Sequence, residues 1–204
     1  MFAADRDLLI LEPLLLRDLA WTGQRPVQAV GSISGSTLTL ASGDLAAAGV
    51  VAGHVALVGS LALEIVQRLS GTAATVSLLR ADPADPPIAP APVTDAPVSV
   101  FTFAPQIAAA HRLVLAMLGL DPDAPPGSPP GVGAESVLNP RALVRFECLL
   151  TLGALWLAAA AQQGAASTAA QRAEAYRRRA AQERSRIAAL IDLDGDGRAD
   201  ETRT

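Results

Sequence analysis

VQAVGSISGSTLTL, residues 27–40, alternates β-branched or apolar residues with small polar ones on both sides of Ser34-Gly35. A period of two puts one set of side chains on one face of a strand, and the Ser-Gly pair supplies a tight turn, so the stretch predicts a β-hairpin. Its GSISGS core (31–36) looks superficially like a phosphate loop. It lacks the Gly-Lys-Ser/Thr ending and leads into a strand instead of a helix, so it does not point to a nucleotide. HVALVG (54–59), LEIVQRL (63–69) and ATVSLLR (74–80) follow, separated by Gly59-Ser60 and Ser70-Gly71. Strands this short and closely spaced predict a small β-barrel or sandwich over residues 26–80.

Upstream, DLLILEP (7–13) suggests a short strand, and Pro13 is placed to open a helical turn through Arg17 to Trp21. The first charged residues are Asp5, Arg6 and Asp7, and Glu12-Pro13 interrupts the apolar run, so a cleaved leader is not expected. Residues 1–25 are therefore a strand and short-helix segment. Downstream, ADPADPPIAPAPVTDAP (81–97) carries too much proline for a helix or a central strand and predicts an extended linker.

The remainder reads as helical. Pro105 opens PQIAAAHRLVLAMLG (105–119), where Ile107, Ala110, Val114 and Leu118 share a face and Gly119 sits at a left-handed cap. DPDAPPGSPPGVGAES (121–136) is a long loop. Asn139-Pro140 then reads as a cap and first-turn proline for a helix from Arg141 to about Gln162, apolar nearly all round. Its core, CLLTLGALWLAAAA (148–161), is shorter than the roughly 20 residues of a bilayer span and predicts a buried helix. A third helix from about Thr168 to Leu190 repeats Ala173, Tyr176, Ala180, Glu183, Ile187 and Leu190 at three- and four-residue steps. The expected fold is α+β: an N-terminal β-barrel or sandwich-like domain, a helical bundle over 98–190, and an extended acidic tail over 191–204.

The 204 residues are 50% hydrophobic, enough to fill a core. All 16 basic residues are Arg, and 20 acidic residues leave a net charge of -4, which argues against a protein that coats nucleic acid overall. The arginines nevertheless concentrate: Arg172, Arg177, Arg178, Arg179, Arg184 and Arg186 crowd one helix, relieved by Glu174 and Glu183. Pairs Glu174–Arg178 and Glu183–Arg186 have helical spacing. Three consecutive arginines fan over about 200° of a helix, so a solvated face competes with contact to a neighbouring subunit or anionic surface. Catalytic chemistry is poorly supplied, because His54 and His111 lack a recognisable nucleophile motif and Cys148 lies in an apolar run. One cysteine forms no disulfide framework and fits a reducing compartment.

The chain closes on IDLDGDGRADETRT (191–204). Asp192, Asp194 and Asp196 occupy positions 1, 3 and 5 of an EF-hand-like loop, Gly197 the turn position 6, and Asp200 position 9. Position 12, where a bidentate glutamate belongs, is Arg203. Such a loop predicts a weak Ca²⁺ site at Asp192, Asp194, Asp196 and Asp200, or a polar end that a partner orders. On the second view the residues after Leu190 are dispensable for folding.

The β-rich front, proline-rich linker, helices and AEAYRRRAAQERSRIAALIDLDGDGRAD (173–200) together resemble the head-to-tail adaptor (connector, or neck) proteins of tailed bacteriophages and prophages. The match is strongest from Val98 onward. The resemblance implies a non-catalytic structural subunit without a resident cofactor. Such a subunit assembles in the host cytoplasm into a homo-oligomeric ring, typically twelve-fold, in the virion neck. The ring contacts the portal protein on one side and the tail or a further neck protein on the other, with packaged DNA passing through its lumen and no membrane partner. Tyr176, Arg177, Arg178, Arg179, Arg184, Arg186, Asp192, Asp194, Asp196 and Asp200 become the expected portal or intersubunit contacts. The alternative is a Ca²⁺-binding interaction module built on the terminal DxDxDG loop.

Overall fold

The computed structural model describes residues 1–164 and 166–204. The chain is α+β, an N-terminal β-barrel region followed by helices, and divides into two compact units: residues 4–103, and residues 1–3 with 104–204.

The first unit begins with α1 (Asp5–Leu11). This corrects the strand expected from DLLILEP. A short apolar run is ambiguous between the two periods, and here Asp7 accepts the Ala4 N–H at 2.9 Å while the carboxylates of Asp5 and Asp7 face the positive end of the helix. Leu8 and Leu9 are buried by the turn. A second short helix, α2 (Leu15–Leu19), and a 3-10 turn (Ala20–Thr22) occupy the segment where Pro13 predicted a helical turn.

Six strands follow: β1 (Gln24–Ser34), β2 (Thr37–Leu40), β3 (Val55–Val58), β4 (Leu61–Arg68), β5 (Ala73–Ser77) and β6 (Val93–Thr102). They close into an antiparallel barrel in the order β1-β2-β5-β4-β3-β6. The hairpin read from residues 27–40 is present, with Ser34 opposite Thr37 and Gly31 opposite Leu40. Its inward side chains, Val27, Ile33, Leu38 and Leu40, join Val58, Leu63, Ile65, Val76, Val98 and Val100 in the barrel core. Closure leaves no strand edge open for adventitious pairing.

The sixth strand corrects the boundaries assigned to the linker and the helical region. Residues 93–97 pair as strand, and residues 98–102 complete the barrel instead of opening the helices. Pro97 is tolerated between two neighbours because its C=O accepts the Gly59 N–H. Its missing N–H therefore falls beyond Val58, where β3 has ended. The register slips between Gly31 and Ile33, and opposite that slip Asp95 adopts φ 49°. Asp is among the few side chains that tolerate this region, and the Ser32 hydroxyl accepts the Asp95 N–H at 3.1 Å.

One ionic cluster inside this unit was invisible in the sequence. Glu64 is fully buried and lies between the guanidinium groups of Arg6 and Arg80, accepting from both Nε atoms. Arg6 also donates to the Arg80 carbonyl and to Asp7, and Arg80 to the Asp85 carbonyl. These bonds tie α1 and the segment after β5 to β4. Nearby, Asp5 Oδ1 accepts the Phe103 N–H at 2.7 Å, and burial pushes its carboxyl up to about 6.

The second unit holds α3 (Ala104–Met117), α4 (Arg141–Gln163) and α5 (Thr168–Arg184). Ile107, Ala110, Val114 and Leu118 are buried, as their spacing predicted. Gly119 takes φ 68°, and the Leu120 N–H returns to the Leu115 carbonyl to close α3. Twelve residues of α4 are buried, and the helix packs against both α3 and α5. By length and hydropathy α4 could also cross a bilayer, but most of its apolar window is buried. Residues 121–133 form the expected long loop, ending in a 3-10 turn at Ala134–Ser136.

The last part of the chain differs from the expectation in two ways. The third helix ends at Arg184, and Ala189–Ile191 form β7, which pairs with β8 (Glu201–Arg203). Ile187, Ala189 and Ile191 are buried while Ala188 is exposed, a period of two that overrides the helical spacing of Ile187 and Leu190. Asn139 is not the side-chain cap of α4: its amide donates to the Ala188 carbonyl and accepts the Leu190 N–H, standing in for a paired strand.

Candidate interaction face and terminal aspartate loop

The structure places Arg177, Arg178, Arg179, Arg184 and Arg186 on the exposed surface of the second unit, the last just beyond the end of α5. Tyr176 is buried against α4, and Arg179 lies over its ring, 5.5 Å from the centroid. Arg172 lies over the Trp156 ring at 4.5 Å. Glu174 approaches Arg177 at 3.7 Å, an i,i+3 neighbour, and Glu183 approaches Arg145 of α4 at 3.4 Å. The two glutamates thus serve one contact within α5 and one that pins α5 to α4.

Beside these arginines α4 keeps an apolar stripe in solvent. Leu150, Ala154, Leu157 and Ala161 recur at steps of four, three and four, one helical face. Leu157 is 55% exposed. Two adjoining depressions share Leu150, Arg177 and Ala180; the larger, about 450 Å³, reaches Met117, Phe146 and Arg184. A groove therefore runs between α4 and α5 with an apolar floor and arginines on its rim. The sequence showed the arginines, but not that a stripe of the most buried helix stays uncovered beside them.

At the chain's end Asp192 is buried, its Oδ1 accepting the Gly195 N–H at 2.6 Å and its Oδ2 the Gly197 N–H at 2.9 Å. The Gly195 bond is the main cause that holds this carboxyl below its usual range. Asp194 accepts from Asp196 N, Asp196 from Arg198 N, and Asp200 from Leu193 N. Both glycines need positive φ, 83° and 79°, for the chain to wrap around Asp192. Carboxylate oxygens of Asp192, Asp194 and Asp200 converge within 4.8 Å of one another. Asp196, the fourth expected ligand, is not in that group.

Residues 191–204 are a folded hairpin, not an extended arm. Ser136 accepts the Asp192 N–H through its carbonyl, Val137 bridges Ile191, and Arg203 donates to the Leu118 carbonyl at 2.7 Å. The arginine standing at position 12 thus places a cation on the C-terminal carbonyls of α3. Truncation after Leu190 removes buried Ile191 and this cap, so the expectation that the tail is dispensable for folding is corrected.

The two histidines occupy different settings. His54 precedes β3, and burial lowers its pKa. His111 is buried in α3 with Nδ1 2.9 Å from Glu147 of α4, and the Phe2 ring meets it edge-on. The other oxygen of Glu147 accepts the Phe2 and Ala3 N–H groups at 3.2 and 3.1 Å. His111 does have a carboxylate partner, which the 36-residue separation hid, but the pair is engaged in fixing the first residues to α4.

These features define an α+β protein with a closed antiparallel barrel, an arginine-rimmed helical groove and a preformed aspartate loop. No known family model, characterised protein or solved structure matches the chain.

Proposed function

We propose that this protein is a non-catalytic subunit of a phage virion neck, a ring-forming adaptor that joins the portal to the tail and lines part of the DNA channel. On this reading the helices are the ring-forming bundle, the barrel is an added domain, and the portal and a tail or further neck protein are its partners. The observation that carries it is the exposed arginine face of α5 beside an uncovered apolar stripe of α4. A surface both apolar and cationic is matched to an apolar, anionic partner. Assembly in the host cytoplasm agrees with a chain whose one cysteine is buried.

Negative-stain images of the purified protein, alone and mixed with a portal, test the proposal. Rings with a central hole support it. Isolated globules in both samples, with no complex in sedimentation, overturn it.

A second reading, a Ca²⁺-binding interaction module, draws on the convergence of Asp192, Asp194 and Asp200. Three carboxylates without the twelfth-position glutamate would hold Ca²⁺ weakly, in about the millimolar range. Calorimetry with CaCl₂ on the native chain and on D192N/D194N/D200N decides it: heat lost in the variant supports this reading, and no heat from the native chain ends it.

A further inference from the structure

We infer that the groove between α4 and α5 receives the terminal aspartate loop of a second copy of this chain, with Leu193 entering the apolar floor and Asp194 and Asp196 meeting Arg177 and Arg184. The inference rests on the ring reading above and names the contact that would build the ring.

Three observations select this occupant. The groove needs something apolar at its centre and anionic at its edge, since Leu150, Ala154 and Leu157 floor it and Arg177 and Arg184 flank it. The loop offers that combination: Leu193 is 41% exposed, with Asp194 and Asp196 also exposed a few residues on. The loop is also preformed, because aspartate side chains already accept its backbone N–H groups, so docking costs little ordering entropy.

The loop cannot fill the groove of its own chain. Leu193 and Gly195 rest by Gly131 and Pro130, and β7 and β8 hold both ends of the loop. A two-fold contact of groove on groove would bring Arg177 and Arg184 of both copies together, and like charges in contact oppose association. A loop-to-groove contact instead joins unlike surfaces. Every open assembly then still presents one free groove and one free loop, so addition continues, and a ring forms where the rotation between copies closes.

The test is a disulfide trap in the full chain. L157C and L193C are made separately, mixed and mildly oxidised, with buried Cys148 as the background. The expected result is a covalent heterodimer in the mixture, and a ladder of multimers from the L157C/L193C double variant. Sedimentation should show R177E/R184E associating roughly tenfold or more weakly, because the rim then repels the loop. R177K/R184K should recover most of the affinity. D194N/D196N, which keeps an oxygen for each loop N–H, should weaken association by about several-fold and flatten its salt dependence. If a charge variant fails to fold, the trap alone decides.

Self-linking of L157C with no heterodimer overturns the inference in favour of a groove-to-groove dimer, and a native chain monomeric at every concentration overturns it outright. Rings seen without the trap leave the neck reading standing and sink this contact. A positive trap with neither rings nor portal binding supports the contact and sinks the neck reading.

Discussion

The barrel unit and the helical unit dispose of their charge and their apolar surface in opposite ways. In the barrel, six strands close on themselves, and a buried carboxylate, Glu64, is matched inside the same unit by Arg6 and Arg80. In the helical unit, α4 leaves Leu150 half-buried and Ala154 and Leu157 exposed, and Arg177, Arg178, Arg179 and Arg184 of α5 lie on the surface beside them. The barrel's charge and apolar surface are matched internally, whereas on the proposed reading the helical face is matched by a partner. Each unit has its own buried core, and what sets the helical unit apart is the exposed face that the proposed function assigns to recognition.

The sharpest way to break that contrast is Glu64→Leu. Two guanidinium groups would stay buried without their shared carboxylate, and unfolding free energy should fall by about 3–5 kcal/mol in urea titration. A loss below about 1 kcal/mol would mean that the barrel's charges are as expendable as surface ones. Tyr176→Ala should cost about 3 kcal/mol, because a buried aromatic ring is lost from the α4–α5 packing. That places the helical unit's stability beneath its arginine face.

Asp5→Asn tests the barrel unit from another side. The carboxyl of Asp5 is raised from 3.8 to about 6 by burial, so the folded state holds its proton more tightly than the unfolded chain. Stability from this group is fully present below about pH 4 and is lost as pH rises through about 6. Asn keeps an oxygen for the Phe103 N–H without a charge. The variant should therefore gain up to about 3 kcal/mol over the native chain at pH 7 and show a flatter profile between about pH 4 and 6. Identical pH profiles would remove Asp5 as a source of strain. The smallest expected effect on folding belongs to R177E/R178E/R179E, about 0.5 kcal/mol per position by thermal unfolding, although on the neck reading ring assembly should be abolished. Unchanged assembly would make the arginines a solvated face and dissolve the contrast.

Local pattern made parts of both units legible. The alternation in residues 27–40 carried the hairpin, and the spacing of Ile107, Ala110, Val114 and Leu118 carried α3, because each pattern is written within a few turns or one strand pair. What escaped was decided at long range. Val93–Thr102 becomes a strand because β1 and β3 lie on either side of it, and no local propensity in a proline-rich segment conveys that. Ile187 and Leu190 fit a helix as well as a strand until Asn139 and Val137 supply pairing partners about 50 residues away. The aspartate loop was legible in spacing, yet Arg203, missed as anything but an absent ligand, proves to be the tie to α3. Arg6, Glu64 and Arg80 are separated by 58 and 16 residues, so no motif could have linked them.

The bonds from Phe2 and Ala3 to Glu147 also set an order of events during synthesis. Residues 4–103 contain a complete barrel, with Asp5 and Phe103 joined where the chain enters and leaves it. That unit can close before α5 and the terminal hairpin have been made. Residues 1–3, although translated before the barrel, must wait for Glu147 to emerge before they find their place. The barrel is thus an insertion able to mature before the unit into which it is inserted, while residues made ahead of it settle after it.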